Sequence, residues 1–142
     1  MNGGETMLIT RENDYALRMI RALADKEIKI AKKICDDENI PQNWGYKILK
    51  KMERAKMIKA FHGSGGGYQL VKDVSEITML DILTIDKDTL RFYKYIPDTD
   101  NKSSNMKAGK CPIQKEFVQI ENSIEKSLQE RTVESIFSLS NT

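Results

Sequence analysis

The feature that most constrains this chain is a glycine-rich turn placed directly behind a basic amphipathic helix, in Glu53 to Leu70, E-R-A-K-M-I-K-A-F-H-G-S-G-G-G-Y-Q-L. From Gln42, a helical wheel gathers Trp44, Ile48, Leu49, Met52 and Ala55 near one face. Lys47, Lys50, Lys51 and Arg54 recur at helical spacing on another. The residues behind it alternate, with Ile58 and Ala60 before and Tyr68 and Leu70 after glycines 63, 65, 66 and 67. Such glycines reach the positive φ values that a tight turn between strands demands, so a two-stranded wing is expected. A helix over 41–56 followed by a wing is the second half of a winged helix-turn-helix. The fold class expected is therefore mainly α with a small β-wing.

Upstream, Thr10 is placed as an N-cap, and Tyr15, Leu17, Met19, Ile20, Leu23 and Ala24 form an apolar stripe reaching Asp25. A short second helix over 30–37 turns its Ile34 and Cys35 to the core, and 38–41 is the turn into the third helix. After the wing, Ser75 is read as the cap of a short helix holding Ile77, Met79, Leu80, Ile82 and Leu83. Residues 90–96 favour β structure, and 97–110 are too polar to bury much surface and read as a mobile loop. Pro112 suits a first helical turn, after which Ile113, Phe117, Ile120, Ile124 and Leu128 recur every three or four residues. A small body covers only part of so long a stripe, so these five residues are expected to pack against a second copy of the chain, with intramolecular packing as the alternative. A short helix over 132–138 should fold back onto the body. The expected divisions are a flexible leader over 1–6 and a DNA-binding domain over 7–85. A connecting segment and sensor loop follow over 86–110, then a dimerisation helix with a short terminal helix over 111–142.

Charge supports a polyanionic partner. The net +2 conceals 14 Lys and Arg against 9 Asp and Glu in residues 1–72, and 9 against 12 in the remainder. No apolar run approaches the length of a membrane span, and no signal-peptide order opens the chain, so a cytoplasmic protein without a membrane partner is expected. Cys35 and Cys111 stand far apart and neither belongs to a Cys-x-x-Cys pair. The glycines lack the following Lys-Ser or Lys-Thr of a phosphate-binding loop, and a single histidine leaves no catalytic constellation, so no enzymatic activity is expected.

Four motifs in order, T-R-E-N-D-Y-A-L-R at 10–18, G-S-G-G-G-Y at 63–68, E-I-T-M-L-D-I-L at 76–83 and C-P-I-Q at 111–114, resemble the Rrf-two family from about Met7 to Leu139. The resemblance implies a bacterial transcription factor, homodimeric, with a winged helix-turn-helix, a long crossing C-terminal helix and often a two-iron two-sulfur cluster bound by the loop before it. This chain departs from the cluster-binding pattern. Cys111 is the one loop cysteine, Asn105 stands where the middle cysteine is expected, and Gln114 takes the place of the histidine. No cofactor is therefore expected, because the usual three-cysteine iron–sulfur site is absent. Tyr46 replaces the family's usual acidic residue in the recognition helix, and His62 stands where many relatives carry arginine.

The reading that follows is a homodimeric, sequence-specific regulator of double-stranded DNA, acting as a repressor. Gln42, Asn43, Tyr46 and Lys47 are placed nearest the bases, and Lys50, Lys51 and Arg54 on phosphates. His62 and Ser64 lie over the minor groove, and Arg11 and Arg18 meet the backbone. A small-molecule or protein effector is sensed near the loop before the C-terminal helix. Cys111 is the sensor candidate, open between an oxidisable thiol, a residual ligand and an idle capping residue. The rival reading keeps the fold but makes it a protein-interaction module, motivated by Gly45 in the first turn of the recognition helix and by Tyr46.

Overall fold

The computed structural model describes residues 9–85 and 112–139. Helix α1, Arg11–Leu23, starts where Thr10 accepts a hydrogen bond from the Asn13 backbone N–H (3.2 Å), while the Asn13 side chain accepts from the Thr10 N–H (2.9 Å). Two N–H groups that a helix start leaves without partners are thus satisfied reciprocally. Helix α2, Ala31–Glu38, ends at Asn39 in the left-handed conformation, and the Ile40 N–H returns to the Cys35 carbonyl. That reversal feeds Pro41 and helix α3, Gln42–Arg54. The three helices meet in one core, to which α1 gives Ala16, Met19, Ile20 and Leu23, α2 gives Ile34 and Cys35, and α3 gives Ile48, Leu49 and Met52. Ala55, expected on that face, is instead exposed, because α3 stops at Arg54 and Lys56 turns the chain with a φ of 62°.

The wing forms as two antiparallel strands, β1 Ile58–Phe61 and β2 Gly67–Leu70, with Ile58 opposite Leu70 and Ala60 opposite Tyr68. Gly63 and Gly65 take φ values of 86° and 77° in the connecting turn, as the sequence requires. A further pairing was not legible in the sequence: Lys29 and Tyr68 exchange backbone hydrogen bonds of 2.9 and 2.8 Å, which ties the wing to the segment before α2. At Gly67 a β-carbon would lie 2.5 Å from the Lys29 carbonyl oxygen, so the missing side chain is what lets the two backbones close.

Beyond the wing, the cap is Thr78 and not Ser75. Helix α4, Met79–Leu83, has a second reciprocal box in which Thr78 accepts from the Asp81 N–H and the Asp81 carboxylate accepts from the Thr78 N–H. Ser75 is engaged elsewhere, donating through its hydroxyl and backbone N–H to Asp73 (2.7 and 2.9 Å), and Ile77 is buried ahead of the helix. Asn13, buried in α1, donates its side-chain amide to the Ile82 carbonyl at 3.0 Å and so joins α1 to α4. Helix α5, Pro112–Gln129, is followed by α6, Val133–Leu139. A short bridge pairs Thr78 with Thr132; the Met79 N–H reaches the Arg131 carbonyl and the Val133 N–H reaches that of Ile77, each at 2.8 Å. Val133 is buried and Phe137 packs against the core, so α6 folds back as expected. The expected leader over 1–6, the β-favouring segment over 90–96, the loop over 97–110 and Cys111 lie outside the described residues.

Candidate nucleic-acid interface

Helix α3 separates its chemistry cleanly by face. Ile48, Leu49 and Met52 are in the core, while Gln42, Asn43, Tyr46, Lys47 and Lys50 are exposed. Gly45 lies on the buried side, and a β-carbon there would overlap the Cys35 sulfur and touch Met19. The glycine therefore sets how closely the two helices of the helix-turn-helix approach. Burial, with a smaller contribution from Asp36, pushes the Cys35 thiol above its ordinary value. A thiol so placed stays protonated and serves as a small packing group.

The wing tip presents His62 and Ser64 to solvent. Along β1, Lys59 sits 5.3 Å from the centre of the Phe61 ring. On the α1 side of α3, Trp44 meets Tyr15 edge-on with ring centres 6.2 Å apart, and the Lys47 ammonium lies 5.4 Å from the Trp44 ring centre.

The basic residues singled out from the sequence divide into two groups. Arg11 and Lys50 are exposed and make no ion pair among the described residues. Arg54 lines an open groove with Met57, Lys72, Asp81 and Ile85. By contrast Arg18 is held by Asp14 (3.2 Å) and reaches the Glu38 carbonyl, and Lys51 is held by Glu12 at 2.8 Å. Lys47 also reaches Glu12, at 3.5 Å. Glu12, absent from the residues selected on sequence, is thus a hub on the edge of the surface. Its partners in α3, Lys47 and Lys51, lie 35 and 39 residues further along the chain, so no local pattern marks it.

Not one residue of α5 is fully buried. Ile113, Val118 and Ile120 are 66, 44 and 48 % exposed, Phe117 is 42 % exposed, and Ile124 is half-buried. Leu128, expected to join the same surface, packs against the body's own core. The Gln114 side-chain oxygen is shielded from solvent with no hydrogen-bond partner among the described residues.

Cys111 and the loop before it, where the resemblance would place an iron–sulfur site, lie outside the described residues. Among the described residues no group of three or more His, Cys, Asp or Glu side chains is arranged to hold a metal. Cys35 is committed to the core. Nor is any described helix long and apolar enough to cross a membrane.

A helix-turn-helix joined to a two-stranded wing, with an exposed polar face on its second helix, defines the winged helix-turn-helix class of DNA-binding proteins. The sequence profile of the Rrf2 family, described as iron-dependent transcriptional regulators, matches residues 9–138. The chain belongs to that family of transcriptional regulators. Among its relatives, Protein aau3 of Rhizobium meliloti is 28 % identical over 85 residues, 58 % of this chain and 55 % of that protein. BadM of Rhodopseudomonas palustris, which carries an HTH-type transcriptional regulator name, is 33 % identical over 75 residues, 53 % of this chain and 47 % of that protein. The chain spans about half the length of these relatives. The same fold is seen in CymR, the global cysteine regulator of B. subtilis, with a TM-score of 0.69 at 19 % identity over 94 % of this chain and 98 % of that one. It is seen again in T. potens IscR, with a TM-score of 0.66 at 16 % identity over 96 % and 89 %.

Proposed function

We propose that the protein is a homodimeric repressor that reads a specific duplex sequence through α3 and senses its effector near the segment preceding α5. The observation that carries this reading is the exposed set Gln42, Asn43, Tyr46 and Lys47 at the start of α3, on a helix whose apolar side is wholly committed to the core. N-terminal turns of a recognition helix reach deepest into the major groove, so these four side chains face base edges. Lys50 and Arg54 neutralise phosphates, as do Arg11 and, through its exposed part, Arg18; His62 and Ser64 lie over the adjacent minor groove. Two copies joined along the exposed apolar residues of α5, chiefly Ile113 and Ile120, present two recognition helices to half-sites about one helical turn apart or a multiple of it. The effector is a small molecule or a partner protein, with the Cys111 thiol as an oxidisable alternative; no step runs through a cluster.

The interaction-module reading loses one of its motives. Gly45 is a packing residue beneath the helix and not an irregularity of its outer face.

Binding to genomic fragments across a salt series tests the proposal. Affinity should fall steeply with salt, and Asn43→Ala should weaken the selected duplex by about 1–3 kcal/mol while leaving scrambled DNA almost unchanged. Equal loss on both duplexes removes Asn43 as a base reader. Absence of any salt-dependent DNA binding favours the interaction module.

A further inference from the structure

We propose that Glu12 is a positioning residue for DNA recognition, whose carboxylate withholds Lys51 from phosphate and fixes Lys47 at the protein–DNA surface, so raising discrimination between sequences. The inference rests on α3 being the recognition helix.

Glu12 sits in the first turn of α1, where the helix dipole favours a carboxylate. Its side chain is 17 % exposed and that of Lys51 is 19 % exposed, with 2.8 Å between charged atoms. The surface pairs of α2 differ in kind: Lys32–Asp36 and Lys33–Asp37 keep 45 % or more of each side chain in solvent, where screening and side-chain freedom leave little net attraction. A shielded carboxylate bonded to Lys51 cancels that lysine's charge locally and repels any phosphate brought close to it.

The second lysine is treated differently. Lys47 remains 59 % exposed, yet its ammonium is confined between Glu12 at 3.5 Å and the Trp44 ring, which Tyr15 in turn supports. A flexible lysine head is thereby pre-oriented at the level of the base-reading turn.

Withholding one cation and orienting another has an unequal effect on right and wrong DNA. Binding to an arbitrary duplex relies on phosphate neutralisation, whereas a cognate site adds base contacts. Removing a phosphate contact therefore weakens arbitrary binding by the larger share, which is discrimination by disfavouring the competitor.

The test uses the full chain with Glu12→Gln, Lys51→Met and Lys50→Met, measuring fluorescence anisotropy against salt on a duplex selected by the protein and on a scrambled one, with thermal melting alongside. Glu12→Gln should tighten scrambled binding by about tenfold and steepen its salt slope by about one unit, with a smaller gain on the selected duplex. Lys51→Met should keep the wild-type slope, while Lys50→Met flattens it by about one unit. The proposal is overturned if Glu12→Gln leaves both slope and discrimination unchanged, or if Lys51→Met flattens the slope as much as Lys50→Met. Should Glu12→Gln melt below the assay temperature, the two lysine variants decide. A wild-type protein with no salt-dependent binding would instead defeat the DNA-binding reading of α3, leaving a distinct signature.

Discussion

The winged body and helix α5 bury apolar side chains to opposite degrees. In α1 through α4, Met19, Ile20, Leu23, Leu49, Met52, Ile77 and Ile82 are fully covered within one chain. Over the eighteen residues of α5 no side chain reaches that state, and isoleucines at 113 and 120 stay about half or more in solvent. Fully burying one such side chain is worth about 1.5–3 kcal/mol, so the body gains its stability internally whereas α5 has apolar surface left to cover. The lesson is a division of labour: one region carries a fold that closes on itself, the other leaves apolar surface open, which the proposed dimer would cover.

The strongest way to break this comparison is to charge the open surface. Ile120→Asp should convert the proposed dimer to a monomer in light scattering and weaken binding to a two-half-site duplex by about a hundredfold, through loss of the linked second contact. The body's melting temperature should hardly move. A variant that stays dimeric would show that the stripe is not the interface.

A smaller effect sharpens the other side. Gly45→Ala adds a methyl against the Cys35 sulfur, and the overpacking, about 1–3 kcal/mol, should outweigh the helix-propensity gain of about 1 kcal/mol. Cys35→Ala combined with Gly45→Ala should recover part of the loss, seen as a positive coupling in denaturant unfolding. Additive losses would mean that the two helices relax apart without strain.

The smallest effect comes from pH. Hydrogen bonds from Ser75 hold Asp73 below the usual carboxylate range, and a bond from Lys29 does the same for Asp25. A carboxyl whose folded value is depressed stabilises the fold above its unfolded value, about pH 4, and that contribution is lost as pH falls through the folded value. Asp73→Ala should therefore melt slightly below wild type at pH 7, with the gap narrowing under pH 4. A gap that widens with acid would contradict this account.

Local signals made much of the body legible before any coordinates. Thr10 as a cap, the apolar wheel of α3 and the alternation around the glycines each depend on residues within a few positions of one another. What escaped depends on distant partners. Lys29 gives no strand signal because its pairing is with Tyr68, 39 residues on. Asn13 reads as a polar helix residue until its amide meets the Ile82 carbonyl, and Gly45 reads as a weak spot until Cys35 is beneath it. The misplaced cap has a similar origin, since Ser75 and Thr78 are equally good cap residues by type and only the bonds to Asp73 and Asp81 tell them apart. At the candidate surface, exposure of Gln42, Asn43 and Tyr46 followed from the wheel, but the bond between Lys51 and Glu12 did not.

The bridge between Thr78 and Thr132 also has a mechanical meaning. It anchors the Leu128 end of α5 to the base of α4, and from that anchor eighteen residues extend as a beam about 27 Å long. A rotation of about 5° at the anchor carries the Pro112 tip through about 2 Å, at the 1.5 Å rise per residue of a helix. Whatever grips the tip has leverage over the attitude of the body, so in the proposed dimer a weak hold on one end of a helix would set the span between two reading heads.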